Sequence, residues 1–367
     1  MRASNTRTDG RDIGIVGYFG QGNLGDDLLA SHAIETLIPE FSARRLIVSA
    51  PAGCYLEKWF PGIQCRPRGE LIRDRHVDKV IFAGGGQFAA FPPARWTNLF
   101  GLRQSSSLAV LRDLWMRGRP QAHCFAYCVG VGPLAGWGGR RSTGALFTRF
   151  DHVSVRDDTS RDLLRACDVN HARVVSDPVF ATHVRRDLDP APDRTLAIVV
   201  RGWSHATDIR PALDTLLRLS GQLRESGWEV VFISFQKRYR PEVIERLSSR
   251  GQRVVVWDPE NHSLDAFVAD LSRYKVMITL RAHALILRAL MNLPCVSLRL
   301  EPKLEILAKV SGQERFVLDL NCSPETLLDT VLEAHSTSMN LDAVCQAARE
   351  RVAGETATLV NWIRRHS

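Results

Sequence analysis

The chain has 367 residues, a formal net charge of +8, 45% hydrophobic residues and 24% charged residues. This composition is typical of globular proteins, and the length corresponds to about two domains. It excludes a largely disordered chain, while the modest positive charge is compatible with an anionic small ligand, an anionic membrane surface or nucleic acid.

Short apolar strands alternate with helical patterns through the first half of the chain. A strand is predicted over residues 12–19, followed by a glycine-rich turn and a helix. A further helix is predicted near 104–117, and further strands at 44–50, 77–86, 122–132, 151–158 and 172–180. This alternation is typical of parallel βαβ units with helices on both faces of a sheet.

A charged segment with two prolines, residues 183–194, interrupts this pattern. Its composition predicts a linker between domains. The pattern then resumes, with a helix at 209–225, a long helix over about 340–365, and strands at 195–203, 228–235, 253–258, 275–280 and 294–300.

We therefore predict an α/β fold of two Rossmann-like, doubly wound domains that face a cleft. Residues 1–185 would form the N-terminal, acceptor-side domain, 186–194 the linker and 195–338 the C-terminal, donor-side domain. Residues 339–367 would form a C-terminal helix that could pack back on the N-terminal domain.

The eight cysteines form no CxxC pair and have no histidine-rich cluster beside them, so no structural zinc site is predicted. Cys124, Cys128 and Cys295 lie in apolar strand patterns and are expected to be buried free thiols. The first residues lack an apolar signal core, and no run of 18 apolar residues occurs. These features favour a reducing, cytoplasmic compartment.

The turn after the first strand contains GQGNLG, residues 20–25, which matches the GxGxxG pattern of dinucleotide sites. The acidic residue that would hold the ribose is missing, because the second strand ends in Val48-Ser49-Ala50. A dinucleotide is therefore disfavoured. Asn23 and Asp26 remain open to two interpretations, helix capping and ligand contact.

Two more glycine turns follow strands, at 84–86 and 130–132. Gly85 and Gly86 belong to a run of three glycines, which either permits a tight turn or lets a ligand approach the backbone closely. Because three such turns fall on the same predicted sheet edge, they indicate a cleft.

Cationic side chains follow several predicted strands. They are Arg156, Arg201, Arg281 with His283, and Lys303. Any one of them could be a surface charge or part of a local ion pair. Arg281 and His283 are the most informative, because they open a helix whose N-terminus favours an anion. A capping histidine is the alternative for His283.

Several common site patterns are missing. The sequence contains no Walker A motif, HExxH or GxSxG, and no nucleic-acid-binding module. We therefore predict no nucleic-acid partner.

Eight short motifs occur in the order found in polysaccharide pyruvyl transferases, and the chain resembles that family over about residues 12–310. They are NLGDD, AGGGQF, GVGP, SVRDDTS, SDPVF, VVRGW, RAHALI and EPKL. The chain departs from the family where Ala282 stands between the Arg and His of RxH, and where Glu301 replaces a common Asp before Pro-Lys. Neither change removes a charged group.

The resemblance implies a GT-B-like fold and transfer of pyruvate from phosphoenolpyruvate onto two hydroxyls of one sugar, forming a ketal. It implies that Arg156, Arg281, His283 and Lys303 hold or activate the donor, with Arg201 as a weaker addition. Phosphoenolpyruvate would be a co-substrate, and no cofactor or metal is expected. The acceptor would be a saccharide of a polysaccharide of the cell envelope, such as an exopolysaccharide, or its precursor.

The chemistry agrees with these residue types. Convergent Arg and Lys side chains match the phosphate and carboxylate of the donor. His283 is the preferred proton donor, Lys303 is the alternative, and Asp26, expected across the cleft in the first domain, is the candidate base.

Other readings stay open at this point. A sugar-nucleotide glycosyltransferase of the same architecture, or a sensor that binds the donor without turnover, would suit the same fold. The acceptor is either lipid-linked or free in solution. Positive charge and a C-terminal helix containing Trp362, Arg364 and Arg365 are compatible with peripheral contact at the inner face of the membrane. The oligomeric state is left open.

Overall fold

The computed structural model describes residues 12–90, 106–116, 122–185, 192–201, 209–237 and 241–366. Most of the predicted linker, residues 186–191, lies outside this described part, as does Trp203 of the VVRGW motif. The chain divides into two compact units. The first unit falls within residues 1–21, 29–178 and 350–367, and the second unit within 22–28 and 179–349.

The first unit contains a seven-stranded parallel sheet and a two-stranded one. Its strands are β1 (Asp12–Val16), β2 (Leu46–Ser49), β3 (Gln64–Arg66), β4 (Val77–Ala83), β5 (Phe88–Ala90), β6 (His123–Val129), β7 (Val131–Leu134), β8 (His152–Val155) and β9 (Arg173–Val174). The large sheet has the order β3-β2-β1-β4-β6-β8-β9, and β5 pairs with β7.

The described residues of this part of the chain also form α-helices: α1 (Leu24–Leu37), whose first residues belong to the second unit, α2 (Tyr55–Trp59), α3 (Arg68–Arg73), α4 (Ser106–Met116), α5 (Gly136–Phe147) and α6 (Asp158–Arg165). The strands are almost wholly buried, as expected for a parallel sheet covered on both faces. The core includes packed phenylalanines, with the rings of Phe88 and Phe147 4.7 Å apart and those of Phe82 and Phe150 5.1 Å apart.

The second unit contains a six-stranded parallel sheet with the order β12-β11-β10-β13-β14-β15. Its strands are β10 (Thr195–Val200), β11 (Glu229–Ser234), β12 (Val254–Val256), β13 (Val276–Thr279), β14 (Cys295–Arg299) and β15 (Val317–Asp319). Its helices are α7 (Arg210–Glu225), α8 (Pro241–Ser248), α9 (Leu264–Asp270), α10 (Ala282–Leu290), α11 (Pro302–Val310) and α12 (Pro324–Ser336). The long α13 (Asp342–Arg365) begins in the second unit and ends in the first.

Both sheets reverse their strand order at one point, between β1 and β4 in the first unit and between β10 and β13 in the second. The carboxyl ends of the strands beside such a reversal form the usual ligand site of open α/β sheets. The predicted α/β class with two Rossmann-like sheets is therefore confirmed. The segments that follow β10 and β13 carry Arg201 and Arg281.

Two predicted strands are shorter than expected. The strand predicted over 172–180 is reduced to β9, and Pro178–Ala181 forms a turn of 3-10 helix instead of extended chain. The strand predicted over 122–132 ends at Val129, close to Cys128, whose φ of 52° takes the backbone out of the extended region. Cys124, Cys128 and Cys295 are buried free thiols, as predicted.

The last residues of α13 belong to the first unit, where they make specific contacts. Oε1 of Glu355 lies 2.7 Å from Nε2 of His152, and the Thr356 hydroxyl lies 2.7 Å from the Tyr127 hydroxyl. Arg364 pairs with Glu40. Trp362 is buried, so its indole is not accessible for contact with a bilayer. Among the described residues, no helix combines the length and apolar character needed to cross a membrane.

Candidate active site

Residues 22–28 follow a strand of the first unit but belong to the second unit. Two backbone contacts hold them there. The Leu24 amide donates to the Phe235 carbonyl at 3.0 Å, and Asn23 forms an isolated antiparallel bridge with Gln236. Phe235 and Gln236 come directly after β11, so the start of α1 lies at the carboxyl edge of the second sheet.

A buried side-chain contact fixes the same segment. The indole Nε1 of Trp257 donates to Oδ2 of Asp27 at 2.7 Å, and neither residue is measurably exposed to solvent. Trp257 follows β12. Breaking a buried hydrogen bond of this kind costs free energy, because the donor and the acceptor would both be left without a partner. The turn that carries Asn23 and Asp26 is therefore held in one position.

Arg281 lies immediately before α10, where no side chain caps the helix. Its Nη2 donates to Oε1 of Gln236 at 3.0 Å. Its Nε is buried and has no hydrogen-bond partner among the described residues. Burial, and then the nearby charge of Arg201, lowers the pKa of Arg281 to about 10. The guanidinium is charged at neutral pH but only partly compensated.

His283 occupies the first turn of α10, close to the start of α1. A Cβ atom added at Gly25 would overlap the His283 imidazole, so the ring packs where only glycine fits. The Gly25 position thereby places the imidazole next to the turn that holds Asp26. Fixing a titratable ring in this way is what proton transfer at a defined atom requires.

Asp26 is partly buried and lies near the same cations. The Asn23 side-chain amide donates to its Oδ2 at 2.6 Å. Burial raises the pKa of Asp26 above its ordinary value, although His283, Asn23, Arg281 and Lys303 act in the opposite direction. A carboxylate with a raised pKa is a better proton acceptor than an ordinary aspartate. Asp26 was expected in the first domain, but it lies in the second unit with His283.

Glu301 joins two more of the predicted cations. Arg201, after β10, pairs with Oε1 of Glu301, and Nζ of Lys303 lies 2.7 Å from Oε2. Burial alone would raise the pKa of Glu301, but Lys303 and Arg201 outweigh it and hold that pKa below its usual range. Glu301 therefore carries its charge and positions both cations at the carboxyl edge.

Arg156 lies in the first unit and has a different environment. Its Nη1 donates to Oδ2 of Asp177 at 2.9 Å, and its Nε lies 3.5 Å from Asp157. A Cβ at Gly130 would lie about 3 Å from the guanidinium, so the group packs directly over that glycine. Burial lowers the pKa of Arg156, but the carboxylates of Asp177 and Asp157 outweigh it, and the net pKa is raised.

The glycine turn after β4 also belongs to the first unit. Gly84 and Gly85 have φ of 59° and 70°, values that favour glycine. The Gly85 carbonyl accepts a hydrogen bond from the Gly130 amide at 2.7 Å, so Gly85 ties two turns together. Gly86 is exposed, and among the described residues no atom lies within 4 Å of the position that a Cβ would occupy.

The second unit thus brings together Asn23, Asp26, Arg201, Arg281, His283 and Lys303, while Arg156, Gly85 and Gly86 belong to the first unit. Sequence reasoning did not single out Gln236, Asp27 or Trp257. Trp257 and Gln236 each follow a strand, and that position was the available signal. The set in the second unit combines cations for an anion, a carboxylate and an imidazole, which are the groups needed for proton transfer beside a negatively charged ligand.

Comparisons with known structures agree with the fold. UDP-GlcNAc 2-epimerase from Methanocaldococcus jannaschii is 11% identical, with 94% of this chain and 99% of that chain covered and a TM-score of 0.58. MnaA from S. aureus, solved with UDP, is 12% identical at a TM-score of 0.59, with 97% and 96% covered. The glycotransferase of kitacinnamycin is 14% identical at 0.54, with 98% and 100% covered. At these identities the likeness shows a GT-B-like fold alone.

Comparison with curated proteins finds no relative by sequence. The family model described as polysaccharide pyruvyl transferase matches residues 23–302. The matched segment begins at Asn23 and ends just before Lys303, so it spans the turn of α1 and the segments with Arg156, Arg201, Arg281 and His283. The chain belongs to the polysaccharide pyruvyl transferase family.

Proposed function

We propose that this protein transfers pyruvate from phosphoenolpyruvate onto two hydroxyls of one saccharide unit, forming a ketal and releasing phosphate. Family membership supports transfer to a polysaccharide or its precursor. We propose no cofactor, because both the reactive carbon and the leaving group belong to phosphoenolpyruvate. We place the reaction in the cytoplasm, where the donor is available, with the acceptor either lipid-linked or free.

The observation that carries this proposal is the incomplete compensation of Arg281. A buried guanidinium with a free Nε, a lowered pKa and a second arginine nearby is electrostatically suited to an anion. The uncapped start of α10 adds amide hydrogens to the same place. A donor with both a phosphate and a carboxylate would use several such groups at once.

Arg201 and Lys303 would complete the anion site. Both pair with Glu301, which holds the two positive charges at the carboxyl edge of the sheet. We propose that Arg281 and Arg201 bind the acidic groups of the donor, and that Lys303 stabilises the departing phosphate.

The proton steps follow from the placement of His283 and Asp26. Protonated His283 donates its proton to the methylene carbon of the donor, which becomes a methyl group, and the central carbon becomes electrophilic. One sugar hydroxyl attacks that carbon and its proton passes to Asp26. The bond from carbon to phosphate oxygen then breaks, the second hydroxyl closes the ketal, and its proton leaves with phosphate. Lys303 is the alternative proton donor.

The remaining predicted contacts keep their proposed roles. Asn23 holds the Asp26 carboxylate by its amide hydrogen bond, which would orient the base. Arg156 is proposed to act on the donor or acceptor from the first unit, and Gly85 and Gly86 to let a ligand approach the backbone. No atom of the described residues lies within 4 Å of the Cβ position at Gly86, which supports close approach there more directly than at Gly85, whose carbonyl is hydrogen-bonded to Gly130.

A binding titration tests the proposal. Phosphoenolpyruvate and a panel of nucleoside diphosphates would be titrated into the wild-type protein and into Arg281→Ala and His283→Ala. We expect saturable binding of phosphoenolpyruvate only, weakened about 10- to 100-fold by Arg281→Ala because a charge-assisted hydrogen bond is lost. Arg273→Ala removes an arginine that is 76% exposed in the same unit and should leave the affinity unchanged.

Two results would contradict the proposal. Nucleotide binding without any response to phosphoenolpyruvate would favour a sugar-nucleotide glycosyltransferase. Binding of phosphoenolpyruvate with no ketal formed on any saccharide of a broad acceptor panel would favour a sensor. Phosphate release that depends on an added saccharide would support the transferase.

A further inference from the structure

Two histidines and an aspartate converge at the amino edge of the large sheet in the first unit. His123 is the first residue of β6, Asp151 directly precedes β8, and His366 directly follows α13. The glycine turns lie at the opposite, carboxyl edge of the same sheet, because β4 and β6 are parallel. Within the first unit, this cluster is therefore separate from Gly85, Gly86 and Arg156.

The spacing of the three side chains suits a small metal ion. Nδ1 of His123 lies 3.4 Å from Oδ2 of Asp151, and the rings of His123 and His366 are 4.1 Å apart. One potential ligand atom from each residue lies within 4.8 Å of the other two. Bonds of about 2.0–2.2 Å in tetrahedral zinc place neighbouring ligand atoms about 3.3–3.6 Å apart. The His123–Asp151 pair already has this separation.

Second contacts orient two of the three ligands. Nδ1 of His366 lies 2.8 Å from the Trp362 carbonyl oxygen, which can only accept a hydrogen bond. Nδ1 therefore carries the hydrogen, and Nε2 presents its lone pair. Oδ2 of Asp151 accepts a hydrogen bond from the Cys124 amide at 2.9 Å. A histidine that donates its other ring hydrogen to a carbonyl is the usual arrangement around protein-bound zinc.

We propose that His123, Asp151 and His366 bind one Zn²⁺, with water as the fourth ligand. Two imidazoles and one carboxylate favour zinc over Mg²⁺ or Ca²⁺, which prefer oxygen ligands alone. His123 and Asp151 are 37% and 35% exposed, so the ion can enter from solvent. The ion would link the end of α13 to β6 and β8.

The cysteine pattern could not indicate this site, because no cysteine is a ligand. The three ligands are also far apart in the chain, and 215 positions separate His366 from Asp151 (366 − 151). No local spacing motif therefore marks them.

The test is a zinc titration of chelator-treated protein against a chromophoric chelator, with no substrate present. We expect one zinc per chain, and an affinity at least about tenfold lower in His366→Gln and in Asp151→Asn, since even indirect partners of zinc are worth 10–100-fold. His171→Ala removes an exposed histidine of the same unit and should not change the affinity. Co²⁺ should give the absorption bands of a tetrahedral site in the wild type and lose them in His366→Gln.

Thermal unfolding provides a second readout. Zinc should raise the Tm of the wild type, because an ion that binds only the folded protein stabilises it. The Tm of His366→Gln should not change, because this variant has lost one of the three ligands. Equal zinc affinity in the wild type and in the His123→Ala/His366→Ala double variant would overturn the proposal, as would preferential binding of Mg²⁺. Because neither readout uses activity, failure here would leave the proposed transferase reaction unaffected.

Discussion

Two arginines at strand ends, one in each unit, show how differently a buried cation can be used. Arg156 is matched by Asp177 and Asp157, and its pKa is raised. The Nε of each arginine is buried without a hydrogen-bond partner among the described residues. Arg281, however, has a neutral hydrogen-bond partner in Gln236 instead of a carboxylate, and its pKa is lowered to about 10. The first is compensated within the protein. The second is left for a ligand to compensate.

A third buried arginine sharpens this contrast. Arg288 in α10 also has its pKa lowered to about 10 by burial, but its guanidinium donates to the backbone carbonyls of Leu271, Lys275 and Pro294. Its hydrogens are therefore used, and it braces the turns around the sheet. A lowered pKa alone does not identify a binding residue. A lowered pKa identifies a binding residue only when it is combined with an unused, buried hydrogen-bond donor at the end of a strand.

The largest effect should come from removing the proton donor beside Arg281. We expect His283→Ala to lower the rate of ketal formation by about 10²- to 10⁴-fold, the usual contribution of a general acid, and to change phosphoenolpyruvate affinity much less. Steady-state kinetics and the binding titration measure the two effects separately. His76→Ala, an exposed histidine of the first unit, is the control. A variant that loses binding but keeps its turnover would contradict the assignment.

A reciprocal pair of variants tests the comparison directly. Arg156→Gln should lower the free energy of unfolding by about 3–5 kcal/mol, because it breaks the buried ion pair with Asp177. Arg281→Gln should cause no loss of stability, since its burial opposes the charge, and should weaken phosphoenolpyruvate binding. Denaturant unfolding and calorimetric titration of both variants are the measurements. If Arg156→Gln left the free energy of unfolding unchanged, the contrast between the two arginines would be wrong.

The fit between His283 and Gly25 gives a smaller effect. A methyl group in Gly25→Ala would displace the imidazole, and a displacement of about 1 Å can cost about 10²-fold in rate. Circular dichroism would establish that the variant is folded before kcat is measured. Gly221→Ala in α7 meets no atom within 4 Å and should keep full activity. Unchanged kcat in Gly25→Ala would show that the position of the ring does not matter.

Asp26 should make the activity depend on pH. The base must be ionised, so kcat/KM should fall as pH falls through the pKa of Asp26, which burial raises above 3.8. A raised pKa in the folded state means that the stability Asp26 contributes is present at low pH and lost as pH rises through that pKa. At neutral pH, Asp26→Asn should therefore be at least as stable as the wild type by Tm, yet lose activity by about 100-fold or more. A lower Tm at neutral pH would contradict the direction of this shift.

The parts of the structure that follow from local sequence patterns were predictable. Arg201, Arg281 and Lys303 were placed after strands because apolar runs ended directly before them, and the structure has strands at those positions. By contrast, β3 and β15 were missed, because three residues are too few to show a period of two.

The location of Asp26 could not be predicted from local patterns. Its place in the second unit depends on the Asp27–Trp257 hydrogen bond and on the bridge from Asn23 to Gln236, both between residues more than 200 positions apart. Periodicity reports only on neighbours in the chain. The ion pair between Arg156 and Asp177 could not be predicted either, because nothing in the motifs SVRDD and SDPVF indicates that they are in contact.

The interleaving of the two units has a consequence for the order of events on the ribosome. Residues 22–28 emerge early, but their partners Phe235 and Trp257 are synthesised more than 200 residues later. Glu355 and Thr356, which contact His152 and Tyr127, come later still. The first unit is thus started first and completed last. We expect nascent chains that stop before residue 350 to leave the first unit incomplete, with the surface that α13 covers still exposed.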